Sequence, residues 1–227
     1  FIDGDATAIA RDLHAAGLIP SPNRAQYHTS TRVPGMWSFE SDASVSRENS
    51  GGELVSPILF DTPETWEQIE QVCEIIRRHG GRVNYRCGAH VHISHEPLGS
   101  NRNRWSRFVR LVGGFEDLLY RLGSGGEALG GQHRGTEYAR PGAAHRVPAN
   151  RFWSATAAQR ALNAPAGRYN AVNVRASTIE FRYFNGTLDP RRIQANVRLA
   201  HALVMAAAIL SRRNPRSRFL PSEGMPW

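Results

Sequence analysis

Five residues of this chain have the types and spacing to do chemistry together. His90 and His92 stand two apart in Ala89–Ser94, so on an extended strand both rings point to one face. Neutral imidazoles ligate metals, and an H-x-H pair either chelates one ion or divides between ligand and substrate duties; ordinary surface histidines share the same spacing. In Thr178–Phe184, Ile179, Phe181 and Tyr183 alternate with Glu180 and Arg182. A glutamate and an arginine on one strand face form either a surface ion pair or the wall of a polar site. Glu53 heads a further strand-like run ending at Leu59. Carboxylates with a histidine suit a hard or borderline divalent ion, Mg²⁺ or Mn²⁺ where phosphates share the site. Arg182 beside Glu180 is then placed to neutralise a phosphate oxygen.

The elements that must position these groups can be read in order. Asp3–Gly17 predicts a short helix capped by Asp5 and ended by Gly17. Met36–Val45 and Glu53–Leu59 predict an antiparallel pair joined by a turn over Ser46–Ser50. A helix capped by Asp61 or Thr62 follows, with Pro63 in its first turn and Trp66, Ile69, Val72, Cys73 and Ile76 as its apolar stripe. After Gly80-Gly81 come the His90 strand and a long amphipathic helix over Asn101–Leu122, using Trp105, Phe108, Val109, Val112, Phe115, Leu118 and Leu119. The stretch 123–167, rich in Gly, Ala, Pro and Arg, reads as a lid-like insertion with one short helix near Ser154–Leu162. Arg168–Val174 and Thr178–Phe184 predict a second strand pair around the turn Arg175–Ser177. A last helix starts at Asp189-Pro190, and the tail from Asn214 is basic and proline-bearing.

Side by side, the halves (about 1–81 and 82–213) read helix–strand–strand–helix and strand–helix–strand–strand–helix. The expectation is a single α+β domain over 1–227. It consists of two β-α-β-β-α repeats forming a mainly antiparallel sheet with helices on one face. The first strand is missing, and its expected place is just before Phe1. In such a pair of repeats Glu53 and Glu180 converge on one groove.

Three motifs carry a family resemblance. Gly88-Ala89-His90-Val91-His92 resembles the G-x-H-x-H strand of the glutamine synthetase-like carboxylate–amine ligases, and Ile179-Glu180-Phe181-Arg182 resembles their I-E-x-R strand. Glu53-Leu54-Val55-Ser56-Pro57 resembles the E-L-V-S-P motif of the amidoligase branch, as do Asp42-x-Ser44, Tyr169 with Asn173, and Asn185–Asp189. The resemblance implies the two-repeat fold and an ATP-dependent ligase that joins an amine to a carboxylate through an acyl phosphate. It implies His90, Glu180 and Glu53 as metal ligands, Arg182 as a phosphate contact, and His92, Asn173, Arg134 and Tyr138 as substrate or ATP contacts. It also implies a G-x-E-x-E strand whose glutamates this chain does not contain.

Composition narrows the classes. At 227 residues, 41% hydrophobic and 21% charged, the chain has material for a real core. The apolar run Leu199–Leu210 holds His201 and is too short to span a bilayer, so no membrane partner is expected. Two cysteines make no disulfide framework, and a reducing cytoplasm is the default. The net charge of +8 comes with 28 basic residues, all arginine. It reflects either base composition or an anionic partner. A ligase substrate on a peptide, a cell-wall component or a modified nucleic-acid base is compatible with it. The competing classes are a basic nucleic-acid-binding or interaction module without catalysis, and an H-x-H metal hydrolase. The hydrolase lacks further ligands at metalloprotease spacing.

Overall fold

Helices begin where the sequence supplies caps. The computed structural model describes residues 1–27, 32–84, 86–124, 139–142, 152, 154–164 and 169–209. In chain order its elements are β1 (Ile2–Asp3), α1 (Ala6–Ala15), β2 (Ser38–Glu40), β3 (Glu53–Val55), α2 (Pro63–Arg78), β4 (Gly81–Arg82), β5 (Gly88–Ser94), a 3₁₀ turn (Glu96–Leu98), α3 (Arg102–Gly114), α4 (Glu116–Gly123), α5 (Ala155–Asn163), β6 (Val172–Val174), β7 (Thr178–Asn185) and α6 (Pro190–Ile209). Asp5, Thr62, Asn101 and Ser154 accept the orphan N–H groups at the starts of α1, α2, α3 and α5.

The architecture is mixed, with small antiparallel sheets and packed helices. Strand pairs are β1–β4, β2–β3 and the three-stranded β5-β7-β6. Phe1 and Gly52 also exchange both backbone hydrogen bonds, at 2.9 and 3.0 Å. That lays the start of the chain against the residues leading into β3. The first half thus repeats, in miniature, the neighbour order of the second: β1 beside the β3 strand, and β3 beside β2.

The structure corrects the expected elements in four places. The opening strand expected before Phe1 has two residues, Ile2–Asp3, within the chain, and the helix read from Asp3 starts at Ala6. The long helix over Asn101–Leu122 is two helices, broken at Phe115 after Gly113-Gly114, where helix propensity is lowest. As a result Phe115 and Leu118 are exposed, while Tyr120 turns into the core. The first hairpin is also shorter than read. β2 stops at Glu40 because the Asp42 carboxylate takes the Ser44 N–H and hydroxyl and folds a turn. β3 stops at Val55, before Pro57, and leaves Ile58 and Phe60 exposed. Finally, β7 does not alternate throughout. Between the pairs Val91↔Phe181 and Ala89↔Phe184, Arg182 and Tyr183 oppose His90 alone, a β-bulge. Past it, Tyr183 and Phe184 are both buried.

Two apolar clusters hold the elements. One joins α1, α2 and β2 through Ile9, Leu13, Phe39 and Ile76, and Leu188 and Ile193 pack on it from beyond β7. The other joins α3, α4, α5 and α6 to β7 through Trp105, Phe108, Phe181 and Tyr183. Its rings meet edge to face: Phe108 with Phe181 at 6.1 Å, Tyr120 with Tyr183 at 4.8 Å. The outer edge of β6 is covered. The Asn163 side chain donates to the Val174 carbonyl (3.0 Å) and accepts its N–H (2.8 Å), and the Arg140 carbonyl accepts the Ala171 N–H (2.8 Å).

At the end of α4, Gly123 lies so close to β7 that a Cβ there would collide with the Tyr183 carbonyl oxygen. Gly123→Ala is expected to cost roughly 1–3 kcal/mol of folding stability, the range for overpacking. Denaturant unfolding checks it, with Gly114→Ala, which would meet no atom, as the harmless comparison.

Candidate active site

One face of β5 and β7 is apolar and lies on the core, so the other must carry whatever the sheet presents. His90 and His92 turn to that second face, and the pairing sets His92 directly opposite Glu180. Arg182, two residues beyond Glu180, reaches the same neighbourhood. The Glu180 carboxylate is buried, and its surroundings are cationic. Arg182 Nη1 donates to Oε1 (2.8 Å), and Arg175 donates Nε (2.9 Å) and Nη2 to Oε2. His90 Nδ1 lies 3.6 Å and His92 Nε2 3.9 Å from Oε1. Asn173, across from Glu180 on β6, donates to the Asn170 carbonyl (2.8 Å) and reaches Oε2 at 3.4 Å. The sheet therefore brings together His90, His92, Asn173, Glu180 and Arg182.

Electrostatics follow from that packing. Burial works against ionising Glu180, but the Arg182 guanidinium, then His90 and Arg175, outweigh it and hold the carboxyl below its usual range. Desolvation pushes His92 down. Glu180 pulls it up, and Arg175 and Arg182 push it down again, so the ring is neutral at pH 7.

Arg175 was legible in the sequence only as a turn residue. The turn closes through its N–H to the Thr178 carbonyl (2.8 Å), which folds the guanidinium back onto Glu180. The signal in hindsight is an arginine five residues before a strand glutamate, across a two-residue-pair hairpin. Arg134 and Tyr138 lie outside the described residues.

Glu53 stands in the other hairpin, directly across from Glu40, which the sequence reading passed over. Glu40 is fully buried. It accepts from Arg32 Nε (2.7 Å) and Nη2 (3.1 Å) and from the Ser38 hydroxyl (2.7 Å). Two like charges directly opposed on a sheet repel, and Arg32, whose pKa is raised chiefly by the Glu40 hydrogen bond and further by Glu53, relieves them. Glu40 faces Glu53 as Asn173 faces Glu180, so the two hairpins place corresponding polar pairs.

The expected metal ligands are Glu53, His90 and Glu180. Among the described residues no three His, Cys, Asp or Glu side chains are arranged to hold an ion, and both Glu180 oxygens are engaged by arginine. The donor types suit Mg²⁺ or Mn²⁺, but their placement here is not a cage. Of the cysteines, Cys73 and Cys87 are buried, and burial pushes the Cys73 thiol up to about 11. A thiol raised that far, as in Cys73, is not activated as a nucleophile. Among the described residues no helix is long and apolar enough to cross a membrane.

A family model described as "Putative amidoligase enzyme" matches residues 5–204, a span that contains both hairpins and the His90 strand. No curated protein and no solved structure gives a significant match.

Two measurements test this geometry. The folded-state pKa of His92 is depressed, so as pH falls the unfolded chain takes up the proton first, and stability declines below about pH 6.5. Glu180, also depressed, adds a further loss below about pH 4.5. The NMR midpoint of His92 is expected below about 6.5, and lower still in Glu180→Gln; a midpoint raised by that change contradicts the arrangement. Separately, Arg32→Ala strands a buried carboxylate. It is expected to cost about 3 kcal/mol, the low end for such a pair because Arg32 is half in water. Adding Glu40→Gln should recover part of the loss in chemical denaturation.

Proposed function

Since the chain belongs to this amidoligase family, we propose that it is an ATP-dependent ligase forming a C–N bond between a carboxylate and an amine. The observation that carries the reading is the I-E-x-R strand. It seats a buried, ionised Glu180 between two guanidiniums on the sheet face shared with His90 and His92.

A carboxylate is a poor electrophile in water. In the proposed reaction its oxygen attacks the γ-phosphorus of ATP, ADP leaves, and an acyl phosphate forms. The amine nitrogen then attacks the acyl carbon, the C–O bond to phosphate breaks, and the nitrogen gives up a proton. Such chemistry rests on positioning and charge neutralisation rather than a covalent nucleophile. Two arginines, Arg175 and Arg182, donate to the one carboxylate of Glu180. Arg182, only 11% exposed, is held by Glu180 where it would meet phosphate oxygens. Neutral His92, with Nδ1 3.3 Å from the Thr178 hydroxyl, would hydrogen-bond substrate without competing for phosphate as a cation. Asn173 would orient substrate through its amide. Mg²⁺ or Mn²⁺ belongs to the proposal as the ion that nucleotide phosphates bring. The steps assigned to this chain are those of its own side chains.

The acid and the amine are sought among peptides, cell-wall components and modified bases. With the full chain, phosphate release from ATP is expected to require both an amine and a carboxylate. Arg182→Gln should lower it on the order of a hundredfold, the usual effect of removing one group that stabilises developing charge. A chain that binds no nucleotide at millimolar ATP with Mg²⁺ would overturn the proposal. Salt-sensitive nucleic-acid binding untouched by Glu180→Ala would instead favour an interaction module.

A further inference from the structure

We infer that the cavity between α5 and the β6–β7 turn is a binding site for a small anion bearing a carboxylate or phosphate group. The cavity, about 510 Å³, is lined among others by His95, Thr156, Gln159, Arg160, Asn163 and Arg175. No acidic side chain is among its described lining residues, although the chain has 20 carboxylates to place. A volume of this size holds a small organic ligand rather than a lone ion.

The cationic wall is built from two elements. Arg160 reaches from the exposed side of α5 and makes no ion pair with any described residue. Arg175 reaches from the turn and spends Nε and Nη2 on Glu180 Oε2. A guanidinium has five N–H donors in a fixed fork, so Nη1 still offers two to a second acceptor. Glu180 does not cancel this charge, because Arg182 shares the same carboxylate. Two further lining residues are held in place. Asn163 is locked to Val174 at both ends of its amide, and His95 is held by the Ala176 carbonyl at 3.1 Å with its ring edge-on to Trp105. The walls are thus preorganised while the two guanidiniums remain available, the condition under which charge-assisted hydrogen bonds hold an oxyanion well. This site does not depend on the ligase chemistry. It shares Arg175 with the Glu180 cluster, and neither His90 nor His92 is among its described lining residues.

Isothermal titration of the full chain with inorganic phosphate and with succinate tests the site and separates the two sources of anion. At least one is expected to bind, and Arg160→Gln should weaken it about tenfold or more. Arg11→Gln, an exposed arginine on α1, should leave binding unchanged. Arg160 lies on the surface of α5, so its variant is expected to melt with the parent chain. Arg175→Gln should weaken the same anion. No binding of either anion at millimolar concentration, binding indifferent to Arg160→Gln, or equal weakening by Arg11→Gln would each overturn the inference.

Discussion

A carboxylate removed from water must be compensated, and in this protein that requirement organises the sheet. Glu180 is buried in the middle strand of the β5-β7-β6 sheet, where an uncompensated charge would cost several kcal/mol. Its compensation comes from three directions: along its own strand from Arg182, from the adjoining turn through Arg175, and across the sheet from His90. Each partner fixes part of the local backbone. The turn must close tightly enough to return Arg175, the bulge must occur where Arg182 can bend toward Oε1, and β5 must register so that His92 faces Glu180. The aromatic layer beneath, with Phe181 and Tyr183 against α3 and α4, holds that strand still.

The first hairpin meets the same constraint with the opposite sign. Glu40 and Glu53 are two acids sharing Arg32, whereas Glu180 is one acid shared by two arginines.

Much of this was legible because period-two patterns and caps are local. Ala89–Ser94 alternates cleanly, so the shared face of His90 and His92 followed from spacing alone. Asp5, the pair Asp61-Thr62, Asn101 and Ser154 announced helix starts. What the sequence did not show depends on three-dimensional closure. The bulge at Arg182-Tyr183 is invisible to a strict alternation rule, although two consecutive aromatics, Tyr183-Phe184, hint that the phase changes. Arg175 was missed because its role appears only once the turn folds it back. Glu40 sat in a run read by its aromatics rather than its charge, and its burial becomes clear only with Arg32 beside it. The helix break at Phe115 was hidden by an apolar stripe that stays in phase across Gly113-Gly114.

The Asn163 amide has a consequence beyond joining α5 to β6. β6 is the last strand of its sheet, and such a strand ordinarily offers a row of open N–H and C=O groups to any passing chain. By donating to and accepting from Val174, Asn163 imitates one rung of a neighbouring strand, while Arg140 supplies another at Ala171. The sheet is in effect terminated by a helix side chain posing as backbone. It can be only three strands wide on that side without becoming a template for self-association.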